Sequence, residues 1–207
     1  MNIYLLCTMR PKNLEKEEAI RSIALQIIAE EGLENLSMQK LAKAANVSPR
    51  TIYIKYADKE DLLITLFIED VLGPYEKAVL EGFHPEMEFA EGMRKIWLNT
   101  FRYLKNNKHA FALMRYGKAS PQLNKGFQAA NIQQGDFFGP IHVFMERNIK
   151  AGIVKKLHQD VHRAMTAAPL FELVNEYFDY ADRPKQIITE KVILECCEAV
   201  IKGLLKQ

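Results

Sequence analysis

Apolar residues recur three and four positions apart along nearly the whole chain, whereas the strict alternation of a half-buried strand is scarce. The pattern predicts an all-α fold. Ile20, Ile23, Ala24, Ile27 and Ile28 form one stripe of a first helix, with Glu15, Glu17 and Glu18 near its positive N-terminal end and Gly32 just past its last turn. Shorter blocks follow. Ser37 is placed to cap a helix through Ala44, Asn46-Val47 makes a tight turn, and Ser48 caps another helix with Pro49 at its first position. A longer helix is predicted from Asp58, with Asp61 at the reciprocal capping position, Leu62, Leu63, Leu66 and Phe67 facing inward, and a break or kink at Gly73-Pro74.

Beyond Pro85 the stripes lengthen. Phe89, Met93, Ile96, Trp97, Thr100, Phe101 and Leu104 make one, and Phe137, Phe138, Ile141, Phe144, Met145 and Ile149 another, with shorter pieces between them separated at Gly117 and Ser120-Pro121. The segment from Asp160 to Tyr180 reads as a helix disturbed at Pro169, and Pro184 as the opening of a final helix through Leu205. There is no internal repeat and no low-complexity linker. Two regions emerge: a three-helix domain over residues 10–58 and a larger helical bundle over 59–207, with the helix from Asp58 bridging them.

The stretch between Ser37 and Tyr56 carries the chemistry. Two short helices crossed at a steep angle need small and apolar residues inside and a sharp turn between them. Ala42 and Ala45 let the second helix approach, Leu41, Val47 and Ile52 fill the centre, and Asn46 suits the left-handed conformation that ends the first helix. The same stretch contains Lys40, Lys43, Arg50 and Lys55 and no acidic residue, which is the segregation a phosphate-facing surface requires. Its second helix is the element suited to a DNA major groove. There Arg50 can pair with guanine or phosphate, Thr51 can reach a base methyl or a phosphate, and Tyr53, Lys55 and Tyr56 can reach the backbone. Ser37, Ser48, Pro49, Gln39 and Lys59, at helix starts, complete the candidate DNA-contact set.

Gly32-Leu33, Ser37-Met38-Gln39-Lys40-Leu41-Ala42, Ala45-Asn46-Val47-Ser48, Thr51-Ile52-Tyr53 and Tyr56-Ala57-Asp58-Lys59-Glu60-Asp61-Leu62-Leu63 resemble, in order and spacing, the helix-turn-helix domain of the TetR family of repressors. The resemblance covers roughly Glu17 to Phe67. Asn46 stands where that family usually has Gly, Tyr56 where it usually has Phe, and Lys55 where His or Tyr is common. The resemblance implies an N-terminal DNA reader joined to a C-terminal bundle, and a homodimer whose last two helices form a four-helix interface. It also implies a near-palindromic double-stranded DNA operator and release by a small-molecule effector. Leu173, Val192, Cys196, Val200 and Leu204 are the candidate interface residues, and Ile193 and Ile201 widen the apolar face of the final helix. Trp97, Phe101, Tyr103, Phe111, Met114, Tyr116 and Phe144 are candidate walls of an apolar or aromatic effector pocket; core packing is the other reading of each.

Composition narrows the alternatives. With 48% hydrophobic and 26% charged residues the 207-residue chain can bury a substantial core, and a formal net charge of only +2 confines any nucleic-acid surface to a local patch. The three cysteines, Cys7 and the adjacent Cys196 and Cys197, lack the spacing of a disulfide framework or zinc site, which points to a reducing, cytoplasmic setting and to core packing for the pair. His158 and His162 lie one helical turn apart with Asp160 nearby, but two ligands are not a site, and they read as a solvated helix start. The apolar opening Met1–Thr8 is too short for a membrane span and poor as a signal peptide, and Met9 is an alternative start. Asn46-Val47-Ser48 spells a glycosylation sequon that is incidental in a cytoplasmic turn. Phosphate-loop, HExxH, GxSxG and dinucleotide signatures are absent, no cofactor is implied, and the reading is a regulator rather than an enzyme. The rivals are a DNA-binding structural or cell-division factor without a small-molecule switch, and an activator on the same fold.

Overall fold

The computed structural model describes residues 11–119 and 137–206, with side chains from 16 to 117 and from 137 to 206. The opening through Met9, Cys7, the side chain of Glu15 and the break at Ser120-Pro121 lie outside the described residues. The chain is all-α as its periodicity requires; the β-type pairing among the described residues is one isolated antiparallel bridge between Val154 and Leu205. The described residues form two compact units, one within Met1–Val71 and His109–Asn131 and one within Leu72–Lys108 and Ile132–Gln207.

In the first unit, α1 (Pro11–Glu31) buries Ile20, Ala24, Ile27 and Ile28 and stops at Gly32, whose φ of 96° is open to glycine alone at little strain. A 3-10 turn at Leu33–Asn35 leads to α2 (Met38–Ala44), capped by the Ser37 hydroxyl accepting from the Lys40 amide at 3.2 Å. Asn46 takes φ 52°, the left-handed step its residue type suits, and Val47 N–H donates back to the Ala42 carbonyl at 3.0 Å. Then α3 (Pro49–Tyr53) starts at Ser48, which accepts from the Thr51 amide at 3.2 Å.

The next helix, α4 (Lys59–Thr65), has the reciprocal cap: Asp58 accepts from the Asp61 amide, and the Asp61 carboxylate accepts from the Ala57 amide, both at 2.9 Å. Of the break or kink expected at Gly73-Pro74, the break does not occur: helical winding continues through it. A π-helical segment, Leu66–Leu72, precedes α5 (Gly73–Val79), whose first turn contains Pro74. A widened turn there accommodates a ring that would crowd the carbonyl four residues back. Gly117 does not separate helices either; it lies inside α7 (Lys108–Ala119), where a Cβ would sit 2.7 Å from the Phe67 ring. The glycine serves close approach. Ala110 and Leu113 of α7 join Ile28, Leu36, Leu41, Ile52, Leu62 and Leu66 in one core.

The second unit is organised around α6 (Phe89–Asn106), capped by Glu88 and burying Phe89, Met93, Trp97, Thr100, Phe101 and Leu104. It packs against α5, α9 (Gln159–Asp179) and α10 (Glu190–Leu204). Helix α8 (Gly139–Lys150) starts later than its stripe predicts. Phe138 is left-handed at φ 61°, and its amide donates to the Glu76 carboxylate at 2.5 Å rather than entering a helical ladder. Pro169 lies within α9 without ending it. The final helix begins at Glu190, not Pro184: the Gln186 side chain donates to the Tyr177 carbonyl and accepts from the Ile188 amide, holding this β-branched run extended up to Thr189. No helix among the described residues is long and apolar enough to cross a membrane.

Candidate nucleic-acid interface

Two capped helices separated by a one-residue left-handed turn fix which side chains face outward. Leu41, Ala42 and Ile52 are at most 1% exposed, so α2 and α3 are clamped by their inner faces. Their outer faces carry Gln39, Lys43, Pro49, Arg50, Thr51 and Tyr53, with Lys55 exposed just past α3 and Ser37 and Ser48 exposed at the caps. The structure thus gathers most of the predicted contact residues on the solvent side of one helix pair. Tyr53 is 52% exposed, far more than an aromatic ring needing only core contacts.

Internal partners hold several of these cations. Lys40 pairs with Glu31 in an exposed setting where screening keeps such a pair weak and exchangeable, and Lys55 pairs with Glu17, whose side chain is 23% exposed. Lys59 is half-buried, donates to the Leu33 carbonyl at 2.7 Å, and has its pKa lowered chiefly by desolvation. Tyr56 does not share the outer surface. It is 3% exposed, packed in the core, and its phenol pKa is raised by burial, with Arg21 partly opposing the rise.

Sequence reasoning passed over Ile54, which is 74% exposed immediately after α3. An apolar side chain so placed is suited to a thymine methyl. Two isoleucines two positions apart, Ile52 and Ile54, fall on opposite sides of a helical turn, so with Ile52 assigned to the centre the exposure of Ile54 was the available signal.

The candidate effector residues divide between the units. Trp97, Phe101 and Phe144 are fully buried and Tyr103 half-buried in the second; Phe111 is buried and Met114 and Tyr116 partly so in the first, the latter two packed on its core. Around Tyr103 lie the Tyr75 ring, at 5.6 Å between centroids, and then Phe138, 5.3 Å from Tyr75. The Tyr75 hydroxyl faces Thr100 at 3.5 Å, and burial pushes its pKa up to about 12, so it is neutral at any physiological pH. Of the candidate dimer residues, Leu204 is fully covered within its own unit, whereas Leu173, Val192, Cys196 and Val200 are partly exposed.

Metal and thiol chemistry find little support in the geometry. His158 is exposed and caps α9 by accepting from the Asp160 amide, whereas His162 is buried with its Nε2 accepting from the Leu157 amide at 3.1 Å, so one nitrogen of each ring is already engaged by backbone. Among the described residues no group of three or more His, Cys, Asp or Glu is arranged to hold a metal. Burial raises both thiol pKa values, that of Cys197 to about 12, which disfavours the reactive thiolate.

Residues 20–66 match the model of bacterial regulatory proteins, tetR family. A helix-turn-helix-type transcriptional regulator of Haemophilus influenzae is 26% identical, across 94% of this chain and 100% of that protein. The fold is shared with a TetR family transcription regulator from Marinobacter aquaeolei, with a TM-score of 0.81 and 23% identity over 96% of this chain and 100% of that one. It is shared also with the transcriptional regulator FadR of Bacillus subtilis, solved in complex with stearoyl-CoA, with a TM-score of 0.68 and 21% identity over 91% and 99% of the two chains.

Proposed function

The chain belongs to the TetR family of bacterial transcriptional regulators, and we propose that it is a cytoplasmic homodimeric repressor that occupies a near-palindromic operator until an apolar effector binds. The observation that carries the DNA half is the outward display of Lys43, Arg50, Thr51 and Tyr53 on, and Lys55 just past, a helix pair whose inner residues are wholly buried. Exposed cations supply affinity and register through phosphates, and Arg50 with its neighbours supplies base contacts. Lys59 contributes at the margin after giving up the Leu33 carbonyl.

Dimerisation through α9 and α10 rests on the partly exposed Leu173, Val192, Cys196 and Val200. The effector half rests on the aromatic interior of the second unit: Trp97, Phe101, Tyr103 and Phe144. FadR of Bacillus subtilis was solved with stearoyl-CoA, which makes long acyl thioesters the first compounds to try.

The test is direct. Wild-type protein selects a duplex from a randomised pool, and Arg50→Ala and Tyr53→Ala are each expected to weaken binding to it by about 1–3 kcal/mol. Unchanged affinity in both variants would remove α3 from the interface. Thermal shift against acyl thioesters and aromatic compounds, followed by DNA release, tests the effector. Stabilisation without release favours a DNA-binding structural factor, and a reporter in the deletion strain separates repressor from activator by sign.

A further inference from the structure

The first unit contains a polar strut behind the outward-facing cations. Arg21 of α1 places its Nε 3.0 and 2.8 Å from the two carboxylate oxygens of Asp70. Its Nη1 lies 3.4 Å from Glu17 and 4.0 Å from Glu69. The other oxygen of Glu17 takes the Lys55 ammonium. The covered Tyr56 hydroxyl has Arg21 as its neighbouring cation. One guanidinium thereby joins α1 to the π-helical segment directly and to Lys55 through Glu17, and it is the cation that bears on the buried Tyr56 hydroxyl, which makes no hydrogen bond of its own among the described residues.

Two features set this apart from a surface ion pair. The Arg21 side chain is 16% exposed and those of Asp70 and Glu17 23%, so removing one partner leaves a poorly hydrated charge. Further, Asp70 lies in the π-helical Leu66–Leu72. A π turn holds one residue more than an α turn, and its loss rotates the helix after it by about 100° relative to the helix before it, which would carry Asp70 off Arg21. The pair therefore depends on the register of that segment.

We propose that Arg21 is a positioning residue for DNA binding. Held by Asp70, it fixes the end of α3 through Tyr56 and the Glu17–Lys55 pair, so that the register of Leu66–Leu72 sets how the DNA-facing side chains are presented. The proposal rests on the DNA-binding reading above. Because Arg21 faces inward, its effect on operator affinity acts through placement, without a phosphate contact of its own.

The experiment compares Arg21→Gln, Arg21→Lys, Asp70→Asn and the exchanged pair Arg21→Asp with Asp70→Arg, using Arg50→Ala as reference and the duplex selected by the wild-type chain as probe. Arg21→Gln and Asp70→Asn are expected to bind roughly tenfold more weakly with an unchanged salt slope, and the exchanged pair to recover part of the loss. Amide exchange over residues 52–57 should accelerate in the two single variants, with Arg21→Lys intermediate. Folded variants with wild-type affinity and wild-type exchange would overturn the proposal, and so would a salt slope reduced by about one, which marks a direct phosphate contact. If Arg50→Ala also leaves affinity unchanged, or no duplex is selected, the DNA reading fails on its own and amide exchange alone decides the strut.

Discussion

Arg94 and Glu198 meet as a two-point fork between α6 and α10, Nε to one carboxylate oxygen at 2.5 Å and Nη2 to the other at 3.1 Å. Arg102 and Glu190 repeat the arrangement at 2.9 and 2.6 Å, with Lys105 also 3.8 Å from Glu190. The arginines are eight residues apart on α6 and the glutamates eight apart in the reverse sense on α10, so the forks fix two antiparallel helices in register over about 12 Å. Between them Trp97, Phe101, Ile193 and Cys197 are buried. Apolar packing supplies most of the energy there; paired planar forks add the geometric specificity that packing lacks.

The first prediction concerns acid. Hydrogen bonds from Arg102 and Arg94 hold the Glu190 and Glu198 carboxyls below their usual pKa. A depressed carboxylate contributes stability that is present above its unfolded pKa, about 4.3, and is lost as pH falls through the folded value. These side chains are more than a third exposed, which limits each fork to about 0.5 kcal/mol. Glu190→Gln with Glu198→Gln should melt about 2–4 °C below wild type at pH 7, and the gap should close by about pH 3. A gap that persists undiminished in acid would mean that the forks act through something other than charge.

A second prediction comes from close packing at Gly92. A Cβ there would stand 2.6 Å from the Phe144 ring. That ring is 0% exposed, stacked on Phe89 at 5.7 Å, edge-on to Phe83 at 5.3 Å, and has the Arg147 guanidinium 5.9 Å from its centroid. It has nowhere to retreat. Gly92→Ala should therefore destabilise by about 1–3 kcal/mol despite alanine's better helix propensity, read as a lowered urea midpoint at constant m-value. A neutral or stabilised variant would show that α6 and α8 can part at small expense.

The features legible in the sequence are those set by neighbours along the chain. Ser37, Ser48 and Asp58 cap because each stands three residues before an amide that needs an acceptor, and the apolar stripes of α1 and α6 arise from helical period alone. The features that stayed hidden depend on partners far away. Phe138 continues a stripe by spacing, yet its amide goes to Glu76, 62 residues earlier. Tyr56 looks like a surface residue beside four cations until Arg21 and the core of α1 close over it, and Arg21 finds Asp70 across 49 positions. Gly117 reads as punctuation because sequence does not show the ring of Phe67 against it.

The third prediction tests the turn between α2 and α3. Asn46 holds φ 52°, where a β-carbon without a compensating local hydrogen bond is strained. Asn46→Gly should leave stability within about 0.5 kcal/mol of wild type, and Asn46→Ala should lose about 1 kcal/mol. Chemical denaturation of the three proteins checks this ordering. An alanine variant as stable as the glycine one would imply that the turn can re-form with negative φ.

The last prediction concerns His162, 7% exposed in the first turn of α9. Its Nε2 accepts the Leu157 amide at 3.1 Å, so the neutral ring carries its proton on Nδ1, and protonating Nε2 would both break that bond and place a charge in the interior. Burial accordingly lowers its pKa. With the folded pKa below the unfolded value of about 6.5, protonation favours the unfolded chain. The contribution is complete above that value and is lost as pH falls through the folded pKa. His162→Gln keeps an acceptor for Leu157 and does not titrate, so its melting temperature should fall less between pH 7 and pH 5 than that of wild type. Proton NMR of the ring should show a midpoint below 6.5 in the native chain. Parallel melting curves together with a midpoint at or above that value would mean that water reaches the ring freely, and that the turn from Leu157 into α9 is held by other contacts.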